Sequence, residues 1–81
     1  MDDISELALD LIRNSRDVLE TKEIQDQAEL KIKDITRTKL FSRLNNLRGE
    51  GLIKGKFVGP GKGVWIWWDN DAFLNKSGGD K

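Results

Sequence analysis

Residues 51–68 constrain this chain more than any other stretch: two alternating runs, "GLIKGKFV" and "GVWIWW", meet around the turn "GPGKG". Alternation with period two is the pattern of a strand that buries one face. Pro60 presets one φ, and the neighbouring glycines supply the positive φ values that a tight connection needs. A hairpin closed there sets Val58 opposite Val64, Phe57 opposite Trp65 and Gly55 opposite Trp67. Side chains alternate along a strand, so Ile53, Phe57, Trp65 and Trp67 share one face. Lys54, Lys56, Ile66 and Trp68 share the other. The all-apolar face is expected to be the core side, with Trp65 and Trp67 as its plugs and Gly55 leaving room for an indole. Trp68 is left for another role. A slip of one residue would invert the assignment.

Large side chains count for much here because the chain is short. A domain of 81 residues buries only roughly 60% of its unfolded surface. With 37% hydrophobic and 35% charged residues, the composition is that of one globular domain rather than a disordered chain. Cysteine and histidine are both absent. Their absence removes disulfides, thiolate and imidazole metal sites, Ser–His and Cys–His nucleophile pairs, and the usual neutral-pH general base. No acid–base pair has catalytic spacing, so the expectation is a binding protein with no cofactor or metal, not an enzyme. The start "MDDISE" is acidic where a secretory signal is basic and then apolar. No apolar run approaches the ~20 residues that span a bilayer. A cytoplasmic protein with no membrane partner is expected.

Upstream of the hairpin the period changes from two to 3.6. In "ISELALDLIR", Ile4, Leu7, Ala8, Leu11 and Ile12 form one helical stripe, predicting a helix over residues 4–14. Asp3 is its expected N-cap, with Glu6 three residues on. "SRDVLE" reads as short and extended. Thr21 then caps a second helix over residues 22–30, with Glu23 at its positive end and Ile24 and Ala28 as a thin buried stripe. A third helix follows in "RTKLFSRLNNLR", where Leu40, Leu44 and Leu47 recur at helical spacing, Phe41 widens the stripe and Gly49 is the expected C-cap. Its opposite face carries Lys39, Ser42, Arg43 and Asn46, and Thr36, Arg37 and Thr38 crowd its amino end. The fold class is therefore α+β: three helices and a C-terminal two-stranded antiparallel hairpin. After it, one turn is expected around residues 72–74 before a polar tail.

The formal net charge is zero, but the charges are segregated. Residues 1–30 hold nine acids and three bases, whereas residues 31–63 hold nine bases and two acids. Segregation of this kind focuses a positive field on one face of a neutral molecule. The alternative is an ordinary solvated surface for Lys39 and Arg43.

The glycine-rich turn is not a nucleotide P-loop, because Gly61-Lys62 is followed by Gly63 instead of Ser or Thr. It also joins two strands, whereas phosphate cradles open a helix. "DND" at 69–71 starts like a calcium loop, but Phe73 and Leu74 fall where a ligand and a glycine are required.

The order of elements, together with "TRTKLFSRLNNLRGEGLI" and its L-x-x-x-G-x-I exit into the hairpin, resembles the winged helix family of helix-turn-helix DNA-binding domains. The resemblance covers residues 4–69 and implies a domain over 1–70 with a polar tail over 71–81. It implies double-stranded DNA as the partner and transcription regulation as the role. Helix three would enter the major groove, bringing Arg37, Thr38, Lys39, Ser42, Arg43 and Asn46 to bases and phosphates. Lys62 would act from the wing tip, and Lys54 and Lys56 would add backbone contacts. The residue chemistry agrees: Lys and Arg meet phosphates, and Arg and Asn read guanine and adenine edges. Some winged helices bind proteins instead. The alternative is thus an interaction module within a larger nucleic-acid-processing assembly, with Trp68 on the docking face.

Overall fold

The computed structural model describes residues 1–70. The turn expected at 72–74 and the polar tail lie outside them. In chain order the elements are α1 (Asp3–Arg13), β1 (Leu19–Glu20), α2 (Thr21–Ala28), α3 (Arg37–Gly49), β2 (Ile53–Val58) and β3 (Val64–Asp69). The α+β class is as expected: three helices, then a hairpin.

Each helix begins on a residue with extended backbone and a side chain or partner suited to capping. Asp2, one residue earlier than expected, caps α1 by accepting the Ser5 backbone N–H at 2.9 Å. Starting one residue earlier leaves Asp3 and Glu6 in the first turn, near the positive end of the helix dipole. Glu20, not Thr21, is the N-cap of α2, and the Glu23 carboxylate reaches back to accept the Glu20 N–H at 2.8 Å. Thr21 is instead buried. Thr36 caps α3, its hydroxyl accepting the Lys39 N–H at 3.1 Å.

The exit from α3 corrects the expected C-cap. Gly49 is the last helical residue, and Gly51 takes the left-handed turn at φ +80°. The Gly51 N–H donates to the Arg48 carbonyl at 3.0 Å and the Leu52 N–H to the Leu47 carbonyl at 3.1 Å. These two bonds satisfy carbonyls that the helix end would otherwise leave without partners, in the Schellman pattern. They also aim the chain directly into β2.

The hairpin register is the expected one: Val58 pairs with Val64, Phe57 with Trp65 and Gly55 with Trp67. The extended segment before α2 adds to it. Leu19 pairs with Trp67 and Glu20 with Ile66, both antiparallel, which gives a three-stranded sheet of order β1-β3-β2. The sheet closes over the helices with Ile53 and Trp67, which join Ala8, Ile12, Ile24, Leu40, Leu44 and Leu47 in one buried core. Leu9 also belongs to that core, whereas Ile4, Leu7 and Leu11 of the expected stripe pack only partly against it.

The aromatic residues of the hairpin do not share one fate. Trp67 is completely buried, and its ring lies so close over Gly55 that a β-carbon there would fall 2.5 Å from the indole. Trp65 is only half-buried, and Phe57 is 51% exposed. Trp67 is thus the plug that was expected, while the expectation that Trp65 is a second plug, on a face shared with Phe57, is corrected. Burial falls along the inner face from Ile53 towards the turn, because the hairpin runs beyond the layer of helices. Trp65 stacks on Trp67 with ring centroids 5.4 Å apart, and the Phe41 ring meets both edge-on at 5.8 Å. It thus packs on the core from outside.

Candidate nucleic-acid interface

The third helix buries Leu40, Leu44 and Leu47 and turns Thr38, Lys39, Ser42 and Asn46 to solvent. This is a direct consequence of their helical spacing. Arg37 is also exposed; its Nε donates to Gln25 Oε1 at 3.4 Å, a long bond that ties the start of α3 to α2. Five of the six α3 residues expected at an interface are therefore on the accessible surface.

Arg43 is the exception. It is half-buried, and its Nε lies 2.6 Å from Asp2 Oδ2, the same carboxylate that caps α1. The Asp2 carboxyl is held at about 2, below its ordinary value of 3.8, first by the Ser5 backbone N–H and then by Arg43. Both partners favour the charged form of the acid. Arg43 thus joins α3 to the start of α1 through Nε, while its side chain stays one-third exposed beside the other polar residues of the helix. The pairing spans 41 positions in the chain, so no local pattern announces it.

The three expected lysines of the hairpin also separate. Lys62 lies in the exposed turn, between Gly61 at φ +79° and Gly63 at φ +53°. Both glycines occupy the left-handed region, which other residues enter only at a cost. The Gly59–Pro60 peptide in the same turn is cis. Lys54 and Lys56 are exposed, opposite Trp68 and Ile66, on the sheet face turned away from Phe57 and Trp65. Lys39, Lys54, Lys56 and Lys62 make no ion pair with any of the described residues.

Between the amino end of α2, the first half of α3 and the hairpin tip lies a groove of about 570 Å³. Phe41, Phe57 and Trp65 line it, and Arg37, Thr38 and Ser42 border it from α3. Gly63 forms part of its wall under the Phe57 ring, which occupies the space a β-carbon would need. The sequence pattern assigned these aromatic residues to the core, so the groove was missed. The one available signal was their position at the turn end of the strands, where a small domain has least to cover them. A second, more open cleft of about 390 Å³ is lined by Arg48, Lys54 and Trp68 among others.

Among the described residues, no helix is long and apolar enough to cross a membrane, and no group of three or more acidic side chains could hold a metal ion. No family model matches the chain, and no curated protein matches it.

Proposed function

We propose that this chain is a winged-helix-type module that binds double-stranded DNA, with α3 as its major-groove helix and the turn at 59–63 as its wing. The observation that carries the reading is Arg37, without an ion pair among the described residues, at the border of a groove whose far side is the hairpin. Arg37, Thr38 and Ser42 border it from α3, and Gly63 and Phe57 border it from the hairpin whose turn bears Lys62. Phosphates recruit such lysines and arginines without regard to sequence, and Thr, Ser and Asn on the same helix face supply groups for base edges. The contact set is Arg37, Thr38, Lys39, Ser42, Asn46 and Lys62, with Arg43 beside them and shared with Asp2. Lys54 and Lys56, on the opposite sheet face, act at longer range through the overall field. A role in transcription regulation rests on the family resemblance alone.

The test is a titration of the ¹⁵N-labelled protein with a short random-sequence duplex at low salt. Shifts should appear at Thr38, Lys39, Ser42, Asn46 and Gly61 to Gly63. Shifts confined to α1, or none, would reject the reading.

The outer sheet face favours a second reading, as a protein-interaction module. Val58 and Val64 are both over 40% exposed and share that face with Ile66, Trp68, Lys54 and Lys56. An apolar strip flanked by lysines suits an acidic partner with apolar side chains. Shifts at Ile66 and Trp68 on adding a partner protein, with none on adding DNA, would establish this reading in place of the first.

A further inference from the structure

The groove between α3 and the hairpin tip has a chemistry that a fully paired duplex does not use. Its floor is aromatic: Phe41 and Phe57 both meet Trp65 edge-on, at 5.8 and 6.0 Å between ring centroids. Phe57 is the most exposed of the three, held in place by Gly63 beneath it. A paired, stacked base offers such rings nothing except its edge, whereas an unstacked base offers its whole face.

The rim has a different character. The Arg37 guanidinium donates through Nε to Gln25, which steadies it, while its two terminal nitrogens have no partner among the described residues. Two parallel donors of this kind fit a phosphate. Thr38 and Ser42 line the same groove from α3, where their hydroxyls can exchange hydrogen bonds with a base edge. The one carboxylate on the rim, Glu20, belongs to the N-cap of α2 and lies at that helix's positive end. A volume of about 570 Å³ falls within the range of pockets that hold small organic ligands.

We propose that this groove takes one unstacked nucleotide, with its base against Phe57, Trp65 and Phe41 and its phosphate at Arg37. The inference deepens the DNA-binding reading and rests on it for the source of the nucleotide, an unpaired base in a duplex. The same chemistry is present in a free mononucleotide.

The experiment compares four ligands by fluorescence anisotropy or competition: a paired duplex, the same duplex with a single-base bulge, the same with an abasic bulge, and adenosine monophosphate. The base-bearing bulge should bind about tenfold tighter than the paired duplex, and the abasic bulge should lose that gain. Phe57→Ala and Phe57→Leu should abolish the gain without changing affinity for the paired duplex. Both should remain folded, because half of the ring is already in water. Arg37→Gln should weaken the bulged ligand more than the abasic one.

Equal affinity for the base-bearing and abasic bulges, with no adenosine monophosphate binding, would overturn the proposal. So would a gain that survives Phe57→Ala. Binding of the bulge without any binding of the paired duplex would uphold the groove and reject the duplex reading. Shifts at Phe57 and Trp65 with adenosine monophosphate alone, and no gain from the bulge, would uphold the nucleotide site and assign it to free nucleotides.

Discussion

The Trp67 indole N–H donates a buried hydrogen bond to the Thr21 hydroxyl at 2.8 Å. It links the middle of β3 to the first residue of α2, across 46 positions of sequence. The largest side chain in the core thereby carries its one polar atom without penalty, since a buried donor is costly only when it has no acceptor. Thr21→Val keeps the shape and removes the acceptor, leaving the indole N–H stranded. It should lower stability by about 1–3 kcal/mol, read as an earlier denaturant midpoint at unchanged slope. Thr21→Ser, which keeps the hydroxyl, should cost clearly less.

The two inner-face tryptophans should separate in the same assay. Trp67→Ala empties a fully buried site and should cost about 3–5 kcal/mol, enough to unfold much of so small a domain. Trp65→Ala removes a half-buried ring that stacks on Trp67 and lies 5.5 Å from the Arg48 guanidinium. Its cost should be about 1–3 kcal/mol. Equal losses would show that the two rings belong to one core after all.

Gly55 tests the same packing from the other strand. A β-carbon there would lie 2.5 Å from the Trp67 ring, and the ring is enclosed on all sides. Gly55→Ala should therefore destabilise by about 1–3 kcal/mol through overpacking. Gly49→Ala has open space around it and sits within α3, so it should raise stability by a few tenths to about 1 kcal/mol. Thermal melts of the two variants should move in opposite directions.

Acid should act on the junction between α1 and α3. A carboxyl whose folded-state value is depressed contributes stability that is present above its unfolded value and lost as pH falls through the folded one. For Asp2 that window runs from pH 3.8 down to about 2. An NMR titration of Asp2 should give a midpoint near the lower figure. In Arg43→Gln the midpoint should rise only part of the way, because the Ser5 N–H, the larger influence, remains. An unchanged midpoint would show that Arg43 does not engage Asp2 in solution.

The same pairing sets an expectation for DNA binding. With Arg37, Lys39 and Lys62 as the phosphate contacts, affinity should fall with salt at a log–log slope of roughly −2 to −3. Lys62→Ala should reduce that slope by about one unit and weaken all sequences alike. Arg43→Gln should leave it nearly unchanged. A slope that drops as much for Arg43→Gln as for Lys62→Ala would show that Arg43 exchanges Asp2 for a phosphate.

What the sequence determined by itself is whatever depends on neighbours a few residues apart. Leu40, Leu44 and Leu47 define one side of α3 because helical spacing leaves them no choice, and the polar side follows. The turn at 59–63 sets the pairing of Val58 with Val64, and every later pair in the hairpin follows from that one. Tertiary structure alone decided the matters that depend on where elements end relative to one another. Trp65 and Trp67 alternate identically along β3, yet only Trp67 lies beneath the helices; the difference is reach, which periodicity does not encode. Leu19 and Glu20 become a strand only because β3 has a free edge beside them. Arg43 stands on the same polar side as Lys39 and Asn46, and it alone of them is paired, because the capping carboxylate of α1 arrives within 2.6 Å of it. A charge in water is indifferent to its position in the chain, so its partner is chosen by the fold.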